Sequence, residues 1–124
     1  AWAVTEQLLT ELRDAVEADG AHFLMVSNTS FTDIHADGGK ADILFNTYPA
    51  MADGCWDLSK PTQQLAAIAS RHKIDYLNLV PYFVDDFEVT QRESHFVIDG
   101  HWNEYGHALA AQALKEFFIQ KRLP

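Results

Sequence analysis

The chain of 124 residues is long enough to bury a core and short enough to be one domain, and its 48% apolar and 12% aromatic content argues against disorder. Its formal charge of −9 offers no basic stripe to phosphates, which excludes nucleic acid and anionic membrane surfaces as expected partners. A single cysteine, Cys55, excludes an internal disulfide, leaves the compartment open and reads as a small apolar residue.

No apolar run approaches membrane-spanning length, and no repeat or low-complexity segment interrupts the chain. The chain opens on Ala1-Trp2 rather than Met, as expected of a sequence that has lost N-terminal residues, and no signal peptide is read there. Val4, Leu8, Leu9, Leu12, Ala15 and Val16 recur at helical spacing up to a stop at Asp19-Gly20. Glu6, Glu11, Arg13, Asp14 and Glu17 are expected largely on the opposite face. His22 to Ser27 then reads as a buried strand, apolar enough to be covered on both faces of a parallel sheet.

From Asn28 to Asp57 the periodicity is poor and the punctuation heavy, so a long loop is expected, with a short element around Ile43-Leu44-Phe45. Its aromatics Phe45, Tyr48 and Trp56 serve either as loop anchors or as a pocket lining. Ser59 is a plausible N-cap, with Pro61 in the first turn of a second helix that buries Leu65, Ile68, Ala69 and His72. Ile74 to Val80 reads as a second strand ended by Pro81. Phe83, Val84 and Phe87 suggest a short helix or tight loop, and Ser94 to Ile98 a short extended run. Helix, strand, helix, strand with right-handed crossovers predicts parallel strands in an α/β fold.

The densest chemistry lies in Phe96-Val97-Ile98-Asp99-Gly100-His101-Trp102-Asn103-Glu104-Tyr105-Gly106-His107. Asn103 is placed to cap a helix running to about Arg122, and Gly106 in its first turn permits close approach to a neighbour. An acid and an imidazole on the turn before a helix suit an acid–base pair: the carboxylate fixes the tautomer and the other ring nitrogen meets a reacting group. The plainer reading is a turn whose Asp99 binds backbone amides and whose His101 is a surface residue.

Asp99-Gly100-His101-Trp102-Asn103, followed by Gly106-His107 and Leu109-Ala110-Ala111, resembles the last block of the SGNH (GDSL-type) hydrolases. The commonest family spelling places two residues between Asp and His; here there is one, as in the branch with polysaccharide O-acetyltransferases and related esterase-like domains. The resemblance implies Asp99 as orienter and His101 as general base of a Ser-His-Asp triad. It implies a three-layer α/β/α sandwich with a mainly parallel, flavodoxin-like sheet. Residues 1–124 would be a single domain or the C-terminal portion of such a domain. Ser27, Val80 and Asp99 would then lie near the carboxyl edge of the sheet. Trp102 would pack beneath the turn or border the substrate pocket. The implied substrate is a small-molecule or carbohydrate ester, with no cofactor and no metal.

The family's Gly-Asp-Ser block, Gly block and Asn block are absent. Ser27, Ser30, Ser59, Ser70 and Ser94 lie in no nucleophile elbow. Two strands also make a small sheet. It would be completed by an N-terminal segment outside this chain, by homodimerisation through a strand edge, or by strands within residues 28–57; the first is preferred. Two rival functions follow. One is a non-catalytic pseudo-hydrolase that binds a glycan or partner chain. The other is a metal-dependent hydrolase using His95, Asp99, His101 and His107; the absence of a His-Glu-x-x-His spacing stands against it.

Overall fold

The computed structural model describes residues 1–35, 46, 48–51 and 57–123. Phe45, Cys55, Trp56 and the short element expected around Ile43-Leu44-Phe45 lie outside the described residues. The described residues form five α-helices, one 3-10 turn and a two-stranded parallel sheet, so the chain is α/β. None of these helices is long and apolar enough to cross a membrane. The chain divides into two compact units, residues 1–27 with 59–78 and residues 28–58 with 79–124.

The first unit holds α1 (Trp2–Ala18), β1 (Leu24–Ser27), β2 (Asp75–Asn78) and the helix from Lys60 to His72. β1 and β2 pair in parallel, in register from Leu24 opposite Asp75 to Ser27 opposite Asn78. Met25, Ala69 and Ile74 form the core, with Leu9, Phe23, Leu65 and Tyr76 packed against it. The coverage expected on both faces of β1 is not met: Met25 and Ser27 are buried while Val26 between them is exposed.

α1 also departs from its expected orientation. Leu9 joins the core, but Val4, Leu8 and Leu12 point to solvent. Glu6 and Arg13, expected on the outer face, bond instead to the helix Lys60–His72. The Glu6 carboxylate takes two hydrogen bonds from Arg71, at 3.0 and 2.9 Å, and lies 2.7 Å from His72 Nε2. Arg13 donates to the carbonyl of His72. Hydrogen bonds from Arg71 and His72 hold Glu6 down at about 2. Paired charge at positions 6 and 13 thus shares a face with Leu9, and the apolar residues left over remain uncovered.

The second unit begins with α2 (Phe31–Ile34), opened by a hydrogen bond from the Ser30 amide to Asp33 Oδ2 at 2.8 Å, and a 3-10 turn, Pro49–Met51. The Lys60–His72 helix of the first unit is α3 in chain order. It is followed here by α4 (Val80–Thr90) and α5 (Glu104–Lys121). Phe83, with no exposed surface, is buried along with Leu79, Ile34, Ala110, Ala113 and Phe117, and α4 packs against both α2 and α5.

Two expectations are corrected here. The second strand stops at Asn78 rather than Val80, and of the short helix or tight loop expected next the helix is found, starting at Val80 and running 11 residues. Pro81 explains both. It lacks an N–H and has a helical φ, so it starts a helix as readily as it ends a strand, and here it sits in the first turn of α4. The extended run from Ser94 to Ile98 is cut short as well: only His95 pairs, with Trp102, and residues 97–99 form a turn.

Candidate active site

The Asp99–His101 turn is closed by its own backbone. The Phe96 N–H donates to the His101 carbonyl and the Gly100 N–H to the Phe96 carbonyl, both at 2.8 Å. Gly100 takes φ +73°, which a side chain would strain. His95 and Trp102 face each other in an antiparallel bridge, and the Asn103 N–H bonds to the Ser94 carbonyl at 3.1 Å.

α5 starts from this base as expected. Asn103 Oδ1 accepts from the Gly106 N–H at 3.0 Å, while its Nδ2 donates to the Glu93 carbonyl at 2.8 Å. A Cβ on Gly106 would lie 2.2 Å from the Ser94 carbonyl oxygen and 3.1 Å from Trp102 Cβ. The glycine is therefore what lets α5 start directly against the hairpin.

Within the turn, Asp99 Oδ1 accepts from the His101 backbone N–H at 3.0 Å and lies 3.3 Å from His101 Nδ1. The backbone N–H of His101, then its ring, lower the Asp99 pKa. The carboxylate binds a backbone amide, as the plainer reading expects, and also lies against the imidazole. An Nδ1–H directed at Asp99 leaves Nε2 as the acceptor nitrogen, the tautomer a general base needs. The His101 side chain is 83% exposed, and its Nε2 has no hydrogen-bond partner among the described residues. Phe96, Val97 and Ile98 beside it are exposed too.

Beneath the turn is a buried polar network that sequence reading did not identify. His95, only 2% exposed, has both ring nitrogens against hydroxyls: Nδ1 is 3.0 Å from Ser94 Oγ and Nε2 is 3.2 Å from Thr29 Oγ1. Thr29 Oγ1 also accepts the Trp102 indole N–H at 2.8 Å. Trp102 stacks on Phe83, with ring centres 5.3 Å apart, and meets His107 edge-on. Burial pushes the His95 pKa down, against the opposing pull of the Thr29 carbonyl, Asp33 and Glu93. No local motif marks Thr29, which is 66 residues from His95.

Within the same unit a further imidazole–carboxylate pair, likewise unmarked in sequence, joins His35 Nε2 to Glu93 Oε2 at 3.1 Å, with Phe31 and Phe87 against the His35 ring.

The proposed metal set is not assembled. His95 is occupied by hydroxyls, and among the described residues no group of three or more His, Cys, Asp or Glu side chains could hold an ion.

Four of the five serines are also engaged, and Ser70 is exposed on α3. In the unit carrying the turn, Ser94 Oγ bonds His95 and Ser30 Oγ donates to Asp33. In the other unit Ser27 Oγ accepts from Tyr76 and donates to Asn78, and Ser59 precedes α3. Of the loop aromatics, Tyr48 is exposed. Asn28, a possible oxyanion donor by residue type, has its Oδ1 on the Thr29 N–H.

No protein-family model, curated protein or solved structure matches this chain.

Proposed function

We propose that this chain carries the base and orienter of a serine-type acyl-ester hydrolase or carbohydrate O-acetyl esterase/transferase, as the C-terminal portion of a three-layer α/β/α sandwich of the SGNH type. One observation carries the reading: Asp99 lies against His101 Nδ1, and Nε2 is left open to solvent. In the reaction His101 Nε2 takes the proton of a serine hydroxyl as its oxygen bonds to the acyl carbon. The tetrahedral alkoxide then collapses, the ester C–O bond breaks, and His101 returns the proton to the leaving alcohol. Water, or a sugar hydroxyl in a transferase, takes the acyl group from the serine by the same steps. Asp99 holds the tautomer and stabilises the imidazolium, and Trp102 supports the turn from below.

The competing reading is a pseudo-hydrolase that keeps the turn for packing and binds a glycan or partner chain. It is favoured by the engagement of Ser94 with His95 and of Ser30 with Asp33.

Fluorophosphonate labelling followed by peptide mass spectrometry, alongside hydrolysis of an activated acetyl ester, separates the two. A catalytic pair predicts one labelled serine, in this chain or in an added N-terminal segment. It also predicts a fall of roughly 10³–10⁴-fold in rate for Asp99→Asn and His101→Ala. No label and no rate difference in either setting, with both variants folded, leaves the pseudo-hydrolase.

A further inference from the structure

Two helical surfaces of opposite character are left uncovered. On α1, Val4, Leu8 and Leu12 are 60%, 60% and 52% exposed. Their four-residue spacing aligns them on one side of the helix. Glu11 flanks this stripe; it takes a hydrogen bond from Gln7, but no cation pairs with it among the described residues. On α5, a groove of about 710 Å³ is lined by Leu114, Phe118, Ile119 and Leu123 and by the cations Lys115 and Arg122. Neither cation has an ion-pair partner among the described residues. Lys115 and Arg122 are two of the nine lysines and arginines in a chain of net charge −9, so the groove carries positive charge in a largely acidic molecule.

We propose that the groove on α5 is filled by the Val4–Leu8–Leu12 stripe of a second copy of this chain. The lengths match: at 1.5 Å per residue, Val4 to Leu12 spans about 12 Å, and so does the helical part of the groove lining, Ala111 to Ile119. The chemistry matches as well, since an apolar stripe beside an unpaired acid meets an apolar groove with two unpaired cations. The net charge of each copy opposes association. At physiological salt that repulsion is screened beyond about 8 Å, whereas Glu11 and the groove cations would lie within contact range. The interface is heterologous: a seated copy still offers its own groove, so association runs head to tail into a ring or a chain. This inference does not depend on the acyl-transfer reading.

Sedimentation velocity from micromolar to near-millimolar concentration tests it on the wild type, Leu8→Glu, Ile119→Glu and an equimolar mixture of the two variants. Both substituted side chains are exposed, so circular dichroism and thermal unfolding should match the wild type. The wild type should associate with rising concentration and each variant alone should be monomeric. The mixture should form a dimer and nothing larger, because only one intact stripe and one intact groove are then available. A monomeric wild type overturns the proposal, as does a variant that still associates alone. A mixture that stays monomeric overturns it too, because the contact would then join like surfaces.

Discussion

Gly106 and Ser94 approach so closely that a single added methyl group would overlap the Ser94 carbonyl oxygen, at 2.2 Å. That carbonyl also accepts the N–H of Asn103, the residue that caps α5, so a hydrogen bond holds it in place.

Gly106→Ala tests this contact. Helix propensity alone would favour alanine by about 1 kcal/mol. The clash is with backbone and cannot be relieved by a rotamer change, and overpacking of this kind costs about 1–3 kcal/mol or more. The expected outcome is net destabilisation, read from the urea midpoint. A midpoint equal to or above that of wild type would show that α5 can shift away without loss.

Thr29→Val tests the buried network. It keeps the shape of the side chain but strips the partner from the Trp102 indole N–H and leaves His95 Nε2 with only the Thr29 carbonyl, at 3.4 Å. Orphaned buried polar groups cost about 1–3 kcal/mol, so a loss in that range is expected, with Thr29→Ser recovering most of it. Equal stability of the Val and Ser variants would mean that the hydroxyl contributes nothing. The same network sets a pH dependence. Because burial lowers the His95 pKa from its ordinary 6.5, the folded chain binds fewer protons than the unfolded chain just below that value. Stability is therefore complete above pH 6.5 and declines on acidification. His95→Gln should flatten that decline in denaturant midpoints measured from pH 7.5 to 5.

Glu6 gives a separate acid limb. Its pKa falls from 4.5 to about 2, so the folded chain favours the carboxylate, and the stability this adds is present above 4.5. It is lost as pH falls through the interval between the two values. Thermal unfolding of wild type and Glu6→Gln should differ most near neutrality and converge as pH approaches 2. A constant difference across that range would mean that the hydrogen bonds from Arg71 and His72 do not depend on the charge of Glu6.

Several features were legible in the linear chain because their determinants are close together in sequence. Asn103 caps α5 by a bond to a residue three positions on, and Ser59-Lys60-Pro61 begins α3 by local backbone preference. The parallel pairing of β1 and β2 followed from the alternation of helix and strand. The contact of Asp99 with His101 spans two residues, across a glycine whose positive φ is a local preference.

Other features depended on groups that meet only in space. Apolar spacing on α1 could not say which stripe is buried, because Glu6 and Arg13 find partners on α3 and take the packed face, leaving Val4, Leu8 and Leu12 outside. Pro81 suits a strand end and a helix start equally, and only packing around Phe83 and Leu79 selects the helix. His95 and His101 look alike in sequence, six residues apart. Only the tertiary structure decides that one is buried between Ser94 and Thr29 while the other stands in solvent beside Asp99. Short-range hydrogen bonds and backbone preferences are encoded locally, and so could be read from the sequence by itself. Burial is decided by what the rest of the chain brings to each side chain, and only the folded structure supplies that.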